Sequence, residues 1–181
     1  MQGFDQPWWI GGGWAIDLHM GRTSRNHSDL DVCVLLRDSR RLFEAFADWD
    51  LGLVVGPEQL EPWQGEPLPE SVFCVWGRRT QAAPWSLEFL FERTDGERWV
   101  YRRDRRVTQD IDHLGRRTRD EIPFLAPEVV LLYKARHLQP RDLADFEAVQ
   151  SALTSDSKVW LREALELAHP GHPWIGRLAT A

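Results

Sequence analysis

Three consecutive glycines, Gly11-Gly12-Gly13, end the apolar run Trp8-Trp9-Ile10 and lead directly into a helix-like stretch over residues 14–20. A glycine turn between strand and helix lets backbone N–H groups approach a ligand closely, which makes a phosphate cradle. A second strand over residues 29–36 opens with two acids, Asp29 and Asp31. Successive strand side chains alternate faces, so these carboxylates share one face while Leu30 and Val32 turn to the core. Paired carboxylates held by a sheet grip a hard divalent cation. Cradle and grip together imply chemistry on a metal-bound polyphosphate, with magnesium as the natural ion.

An Asp-x-Asp pair taken alone is more often surface charge. Here the apolar continuation Val32-Cys33-Val34-Leu35-Leu36 places the acids at the entering end of a buried strand, and the glycine turn lies a short way upstream. A third carboxylate should complete the site. Residues 85–92 alternate cleanly, with Trp85, Leu87, Phe89 and Phe91 facing one way and Ser86, Glu88, Leu90 and Glu92 the other. Glu88, flanked by Leu87 and Phe89, is the choice, as a general base for an acceptor hydroxyl and a further metal contact. The competing reading makes Glu88 a solvent-facing residue, with Glu92 taken as an example of one on the same face.

Arg22 and Arg25 stand between helix and acids, where they can hold a triphosphate bidentately or pair with Asp17 or Asp29. His27 can orient Asp29 or a phosphate, or be plain polar surface, and is given no catalytic role. Lys134 falls on an apolar stripe with Val130 and Leu138. Its ammonium either faces an anion, such as the leaving pyrophosphate, or snorkels to water. Asp142 and Asp145 read as salt-bridge partners rather than ligands.

Further along, residues 39–49 have helical spacing, 51–55 and 71–76 read as strands, 57–69 as a loop, and 99–103 as a further strand. The arginine-rich residues 102–119 read as a solvated connector. Helical patterns cover 127–138, 140–153 and 157–168, with Pro127 and Pro140 as starts, and Gly21 ends the first helix. Strands followed by helices give an α/β (α+β) fold: a catalytic core over 1–122 and a C-terminal helical region over 123–181 packed on it.

A length of 181 residues suits such a plan. The net charge of -6 disfavours broad nucleic-acid binding. No apolar run is long enough to span a membrane, and no signal peptide is visible. Cys33 and Cys74 are the only cysteines and give neither a zinc spacing nor a disulfide framework, so a cytoplasmic location is the expectation. The ten tryptophans fill the core or an interface, with room for one or two to stack on a base or sugar.

The block Trp9-Ile-Gly-Gly-Gly-Trp-Ala-Ile-Asp17, with Gly21-Arg22, Arg25 and His27-Ser-Asp-Leu-Asp31, resembles the nucleotidyltransferases of the DNA polymerase β superfamily. More narrowly it resembles the antibiotic-modifying group of aminoglycoside 2''-O-adenylyltransferase and the lincosamide nucleotidyltransferases. Leu87-Glu-Phe-Leu-Phe91 and, more loosely, Ala126-Pro-Glu-Val-Val-Leu-Leu-Tyr-Lys134 extend the likeness over most of residues 8–150. The resemblance implies a mixed sheet flanked by helices and metal ligation by Asp29 and Asp31 with Glu88 as third acid. It also implies phosphate contacts from Gly12, Gly13, Arg25 and Lys134. The implied reaction is in-line attack of an acceptor hydroxyl on the α-phosphorus of a nucleoside triphosphate, ATP first, with two metal ions stabilising the attacking and leaving oxygens.

Three departures stand out. Gly13 and Trp14 follow Gly12 where the superfamily often has serine, which agrees with the antibiotic-modifying group but removes a hydroxyl. The third acid is Glu88 where relatives often carry Asp. Only about seven residues precede the first strand, where relatives usually have a helix. Either that helix is dispensable or the chain starts late, and an apolar patch left open there favours a homodimer. Two other readings remain: nucleotidylation of a protein or RNA partner, as in toxin–antitoxin systems, and a non-catalytic nucleotide-binding module. A basic, open acceptor side favours the former, a closed pocket lined by Glu and Trp a small cation.

Overall fold

The computed structural model describes residues 1, 3–56 and 59–179. The apolar run before the glycines forms β1 (Trp8–Ile10), and the turn opens α1 (Gly12–Met20). Gly21 ends that helix in the left-handed conformation, φ 65°. β2 (Leu30–Leu35) returns antiparallel to β1, with Trp9 opposite Cys33. α2 (Ser39–Ala45) is shorter than its spacing implied and leads to β3 (Asp50–Gly56).

Pro57 and Glu58, the start of the expected loop, lie outside the described residues. The next stretch is not loop but a strand, β4 (Gln59–Pro62), paired on β3. β5 (Cys74–Arg78) and β6 (Leu87–Asp95) follow, and β6 pairs with β2 in parallel. Parallel pairing of neighbours joined by a long crossover, among antiparallel hairpins, makes the sheet mixed. Its register sets Asp31 directly beside Glu88.

The arginine-rich segment departs from expectation. It carries β8 (Thr108–Asp110) and β9 (Gly115–Arg117), and with β7 (Arg98–Val100) and β10 (Pro123–Leu125) it belongs to the fold. Val107, Ile111 and Leu114 are buried, so every few residues an apolar anchor pins the arginines to the core. That spacing is too sparse to read as periodic. The main sheet runs β4-β3-β5-β6-β2-β1-β10-β9, with β7 on the far end of β6 and β8 beyond it.

The pleat divides the core in two. Val32, Val34, Phe89 and Phe91 face one side, with Leu42, Phe46 and Trp63. Cys33 and Leu35 face the other, where Ile16 of α1 meets α3 (Pro127–Lys134), α4 (Pro140–Val149), α5 (Ser155–Ala168) and α6 (Pro173–Ala179). Prolines occupy the first turns of α3 and α4, and Thr154 caps α5 through Ser157 N–H at 3.2 Å. Of the helices only α6 was unanticipated: His169 to His172 breaks the apolar spacing before Trp174 and Leu178 restore it. No helix among the described residues is long and apolar enough to cross a membrane.

Candidate active site

Asp31 lies on the helix-covered face with Cys33, and Glu88 on the same face with Leu90. One carboxylate oxygen each from Asp29, Asp31 and Glu88 lies within 4.8 Å of the others. The glycines explain how the acids fit so near a helix start. Gly12 has φ +55°, and a Cβ there would overlap the Asp31 carboxylate. At Gly13 a Cβ would overlap the Arg25 guanidinium and the His27 ring. The room cleared by these glycines is therefore filled by side chains of the site itself, a reason the sequence did not disclose. Among the described residues no side chain caps α1, and a helix start leaves its first N–H groups without intrahelical partners.

These parts line one cleft of about 310 Å³, together with Trp14, Lys134 and Tyr133. Trp14 anchors the start of β2 by donating its indole N–H to the Asp29 carbonyl at 3.1 Å. Among the described residues His27 makes no hydrogen bond to Asp29; its Nε2 sits 2.7 Å from the buried Asp17, which also accepts from Ser24. Burial acts to raise the Asp17 carboxyl, but the Ser24 and His27 hydrogen bonds outweigh it and hold the group below its ordinary range. Asp17 is thus spent on fixing the loop, and neither arginine pairs with it.

Arg25 reaches the cleft wall and is gripped by Asp145, Nε to Oδ1 at 3.1 Å and Nη2 to Oδ2 at 3.2 Å. Arg22 is exposed and does not line the cleft. Lys134 neither snorkels nor waits unpaired: its Nζ lies 3.0 Å from Asp142 and 2.8 Å from Asp145. Asp142 and Asp145 are the salt-bridge partners expected of them. Together they hold two cations from separate segments on one side of the acids.

Glu92 is a correction. It is not solvent-facing but 3% exposed, accepting from Trp99 Nε1 and Tyr133 Oη at 2.6 Å each, both on Oε2. Its partners come from β7 and α3, which local alternation cannot foresee. Nearby, the Arg102 guanidinium stacks over Phe73 at 4.5 Å and Tyr133 at 5.7 Å. Neither residue was singled out as functional, although the period-2 step from Glu88 through Leu90 already puts Glu92 on the site face.

The donor set suits a hard divalent cation: three carboxylates, clustered and partly buried. Burial first, then the charges of Glu88 and Asp29, push Asp31 up to about 7. Burial likewise raises Glu88. Such a cluster is short of positive charge. Without a cation, the folded protein keeps on Asp31 a proton that the unfolded chain releases near its ordinary 3.8. Stability from this group therefore falls as pH rises from about 4 through 7. A cation requires the ionised form, so the rise in melting temperature produced by magnesium should be small at about pH 5 and reach its plateau above about pH 8. Thermal melts with and without magnesium across this range check it; a magnesium shift independent of pH contradicts the cluster as the binding site.

Residues 1–52 match the family model described as aminoglycoside-2''-adenylyltransferase. A curated 2''-aminoglycoside nucleotidyltransferase of Escherichia coli is 62% identical over 26 residues, which is 14% of this chain. The match spans only 15% of that relative's length. Among solved structures, the antibiotic-resistance factor ANT(2'')-Ia superposes with TM-score 0.54 at 14% identity, covering 88% of this chain and 82% of that one. The lincomycin-bound lincosamide antibiotic adenylyltransferase LnuA gives TM-score 0.54 at 15% identity, covering 81% and 87%. The fold is that of these nucleotidyltransferases, and the sequence resemblance is met where the glycine turn and acid pair lie.

Proposed function

We propose that this chain is a divalent-metal-dependent nucleotidyltransferase that moves a nucleoside monophosphate, AMP from ATP, to a hydroxyl of a small acceptor of the antibiotic kind its relatives are named for. The observation that carries the reading is the convergence of Asp29, Asp31 and Glu88 beside the uncapped start of α1. Asp29 and Asp31, with Glu88, would hold magnesium, which supplies charge stabilisation at the attacking and leaving oxygens. The α1 N–H groups, Arg25 and Lys134 bind the triphosphate tail. Glu88, raised above its ordinary range by burial, takes the proton of the acceptor hydroxyl. The acceptor oxygen forms a bond to the α-phosphorus, the bond from that phosphorus to pyrophosphate breaks, and pyrophosphate leaves with the electron pair.

The test is transfer of label from α-phosphate-labelled ATP to a panel of aminoglycosides, lincosamides, tRNA and protein. Label in a small acceptor supports the reading. Label in RNA or protein replaces the acceptor class, and nucleotide binding without transfer makes the chain a binding module.

Lys134→Ala should raise the KM for ATP about tenfold or more, the loss expected for one charge-assisted contact. It should also lower the melting temperature, because Asp142 and Asp145 lose a counter-charge where Asp145 is 1% exposed. A lower melting temperature with unchanged KM would make Lys134 a structural counter-charge only.

A further inference from the structure

We infer that α1 sets the position of Asp29, with Trp14, Asp17 and His27 as positioning residues, so that the cation affinity of the acid cluster depends on this helix as well as on the sheet. The inference rests on the metal-dependent reading for the ion that is held; the arrangement of the residues stands on geometry.

The three acids are not held alike. Asp31 and Glu88 sit within the β2–β6 ladder, paired with each other, and the Asp31 carbonyl also accepts from Gly11 N–H at 2.9 Å. Asp29 lies one residue before that ladder, whose first pair is Leu30 with Leu87. An extended chain puts its carboxylate on the face of Asp31, but no sheet partner keeps the chain extended at Asp29. Residues 21–24, 26 and 28 are exposed, so the loop leading into Asp29 has little packing of its own.

α1 supplies what the sheet does not. Trp14 donates its indole N–H to the Asp29 main-chain carbonyl at 3.1 Å, and among the described residues Asp29 makes no other hydrogen bond. Because that bond falls on the carbonyl, both carboxylate oxygens stay open to a cation. Two residues upstream, His27 Nε2 lies 2.7 Å from Asp17 Oδ2, and Ser24 N–H donates to Asp17 Oδ1 at 2.9 Å. The His27 and Asp17 side chains are 3% and 5% exposed, a buried anchor in a loop otherwise mostly open to solvent. The Trp14 and His27 rings lie against each other, with centroids 4.5 Å apart. Trp14 and Asp17 stand three positions apart on α1 and so share one face of it.

Magnesium tolerates little error in its ligands, which must stand near octahedral positions at about 2.0–2.1 Å. A residue that orients a metal ligand through a hydrogen bond therefore changes affinity although it touches no ion. The same helix begins at Gly12, whose missing Cβ makes room for the Asp31 carboxylate. Asp29, Asp31 and the glycine turn are thus all referenced to one rigid element.

Manganese binding to the full chain without nucleotide, read by electron paramagnetic resonance, tests this. Trp14→Phe keeps a flat ring against His27 and removes only the indole N–H. It should raise the manganese Kd about tenfold or more, while the Kd for ATP in EDTA stays within about twofold of the parent. His27→Ala should weaken manganese by a similar factor, and His27→Gln, whose amide still donates to Asp17, should recover most of the loss. This pair carries the test if Trp14→Phe does not fold. An unchanged manganese Kd in Trp14→Phe, or equal losses in His27→Ala and His27→Gln, overturns the inference. A loss of ATP affinity in EDTA as large as the loss for manganese also overturns it, because Trp14 would then act on the nucleotide. Manganese held equally by the parent and by Asp31→Asn overturns the metal-dependent reading itself, whereas manganese lost in Asp31→Asn but kept in Trp14→Phe overturns this inference alone.

Discussion

Asp31→Asn should reduce magnesium-dependent transfer by about 10²-fold or more while the protein remains folded. Asp31 is the pivot of the acid cluster: it stands beside Glu88 in the parallel register, and its carboxylate fills the space over Gly12. Asparagine keeps that volume and the β2 backbone ladder, so packing has little reason to change. What it removes is the anionic oxygen a cation needs. It also removes a group that burial and neighbouring charge push up to about 7. At about pH 8 without magnesium the variant should therefore melt at the same temperature as the parent or higher. Activity lost with stability kept separates a chemical role from a structural one. Transfer rates and melts together check this, with Asp29→Asn expected to follow in activity; near-normal turnover in either would remove the metal assignment.

Glu88→Gln should abolish transfer by about 10²–10⁴-fold, the range for loss of a general base, while ATP still binds. The amide has the shape of the carboxyl and leaves Asp29 and Asp31 in place, but it cannot take a proton. Burial is the main reason the native group is raised, with hydrogen bonds from Cys74 and Asp31 working against it. A carboxylate raised above its ordinary range is a stronger base for a hydroxyl proton than an exposed glutamate. Binding of ATP by calorimetry and single-turnover transfer check the two halves of this expectation. Transfer that proceeds unchanged would show that the acceptor proton leaves by another route.

The site was legible in the sequence where chemistry is local. Gly12, Asp29 and Asp31 lie within one strand–turn–helix–strand unit, and their spacing alone brings them together. Glu88 was legible because alternation along β6 is strict and its neighbours are apolar. The charge partners were less so: Asp145 meets Arg25 from 120 residues away, and only the packing of α4 on α1 makes that contact. Glu92 was misjudged for the same reason, since a buried glutamate is recognised by its donors, Trp99 and Tyr133, rather than by its flanks. In the segment 102–119, frequent arginines masked a few deeply buried anchors, Val107, Ile111 and Leu114. β10 is three residues long, too short for any period to register.

A crystal structure with manganese in place of magnesium and a non-hydrolysable ATP analogue tests the central claim most directly, because manganese is located by its own anomalous signal. The account predicts a manganese peak at ligand distance, about 2.0–2.3 Å, from carboxylate oxygens of Asp29 and Asp31, with Glu88 beside it and the analogue's phosphates toward Gly12, Arg25 and Lys134. A nucleotide seated elsewhere, or manganese held away from Asp29 and Asp31, would contradict it.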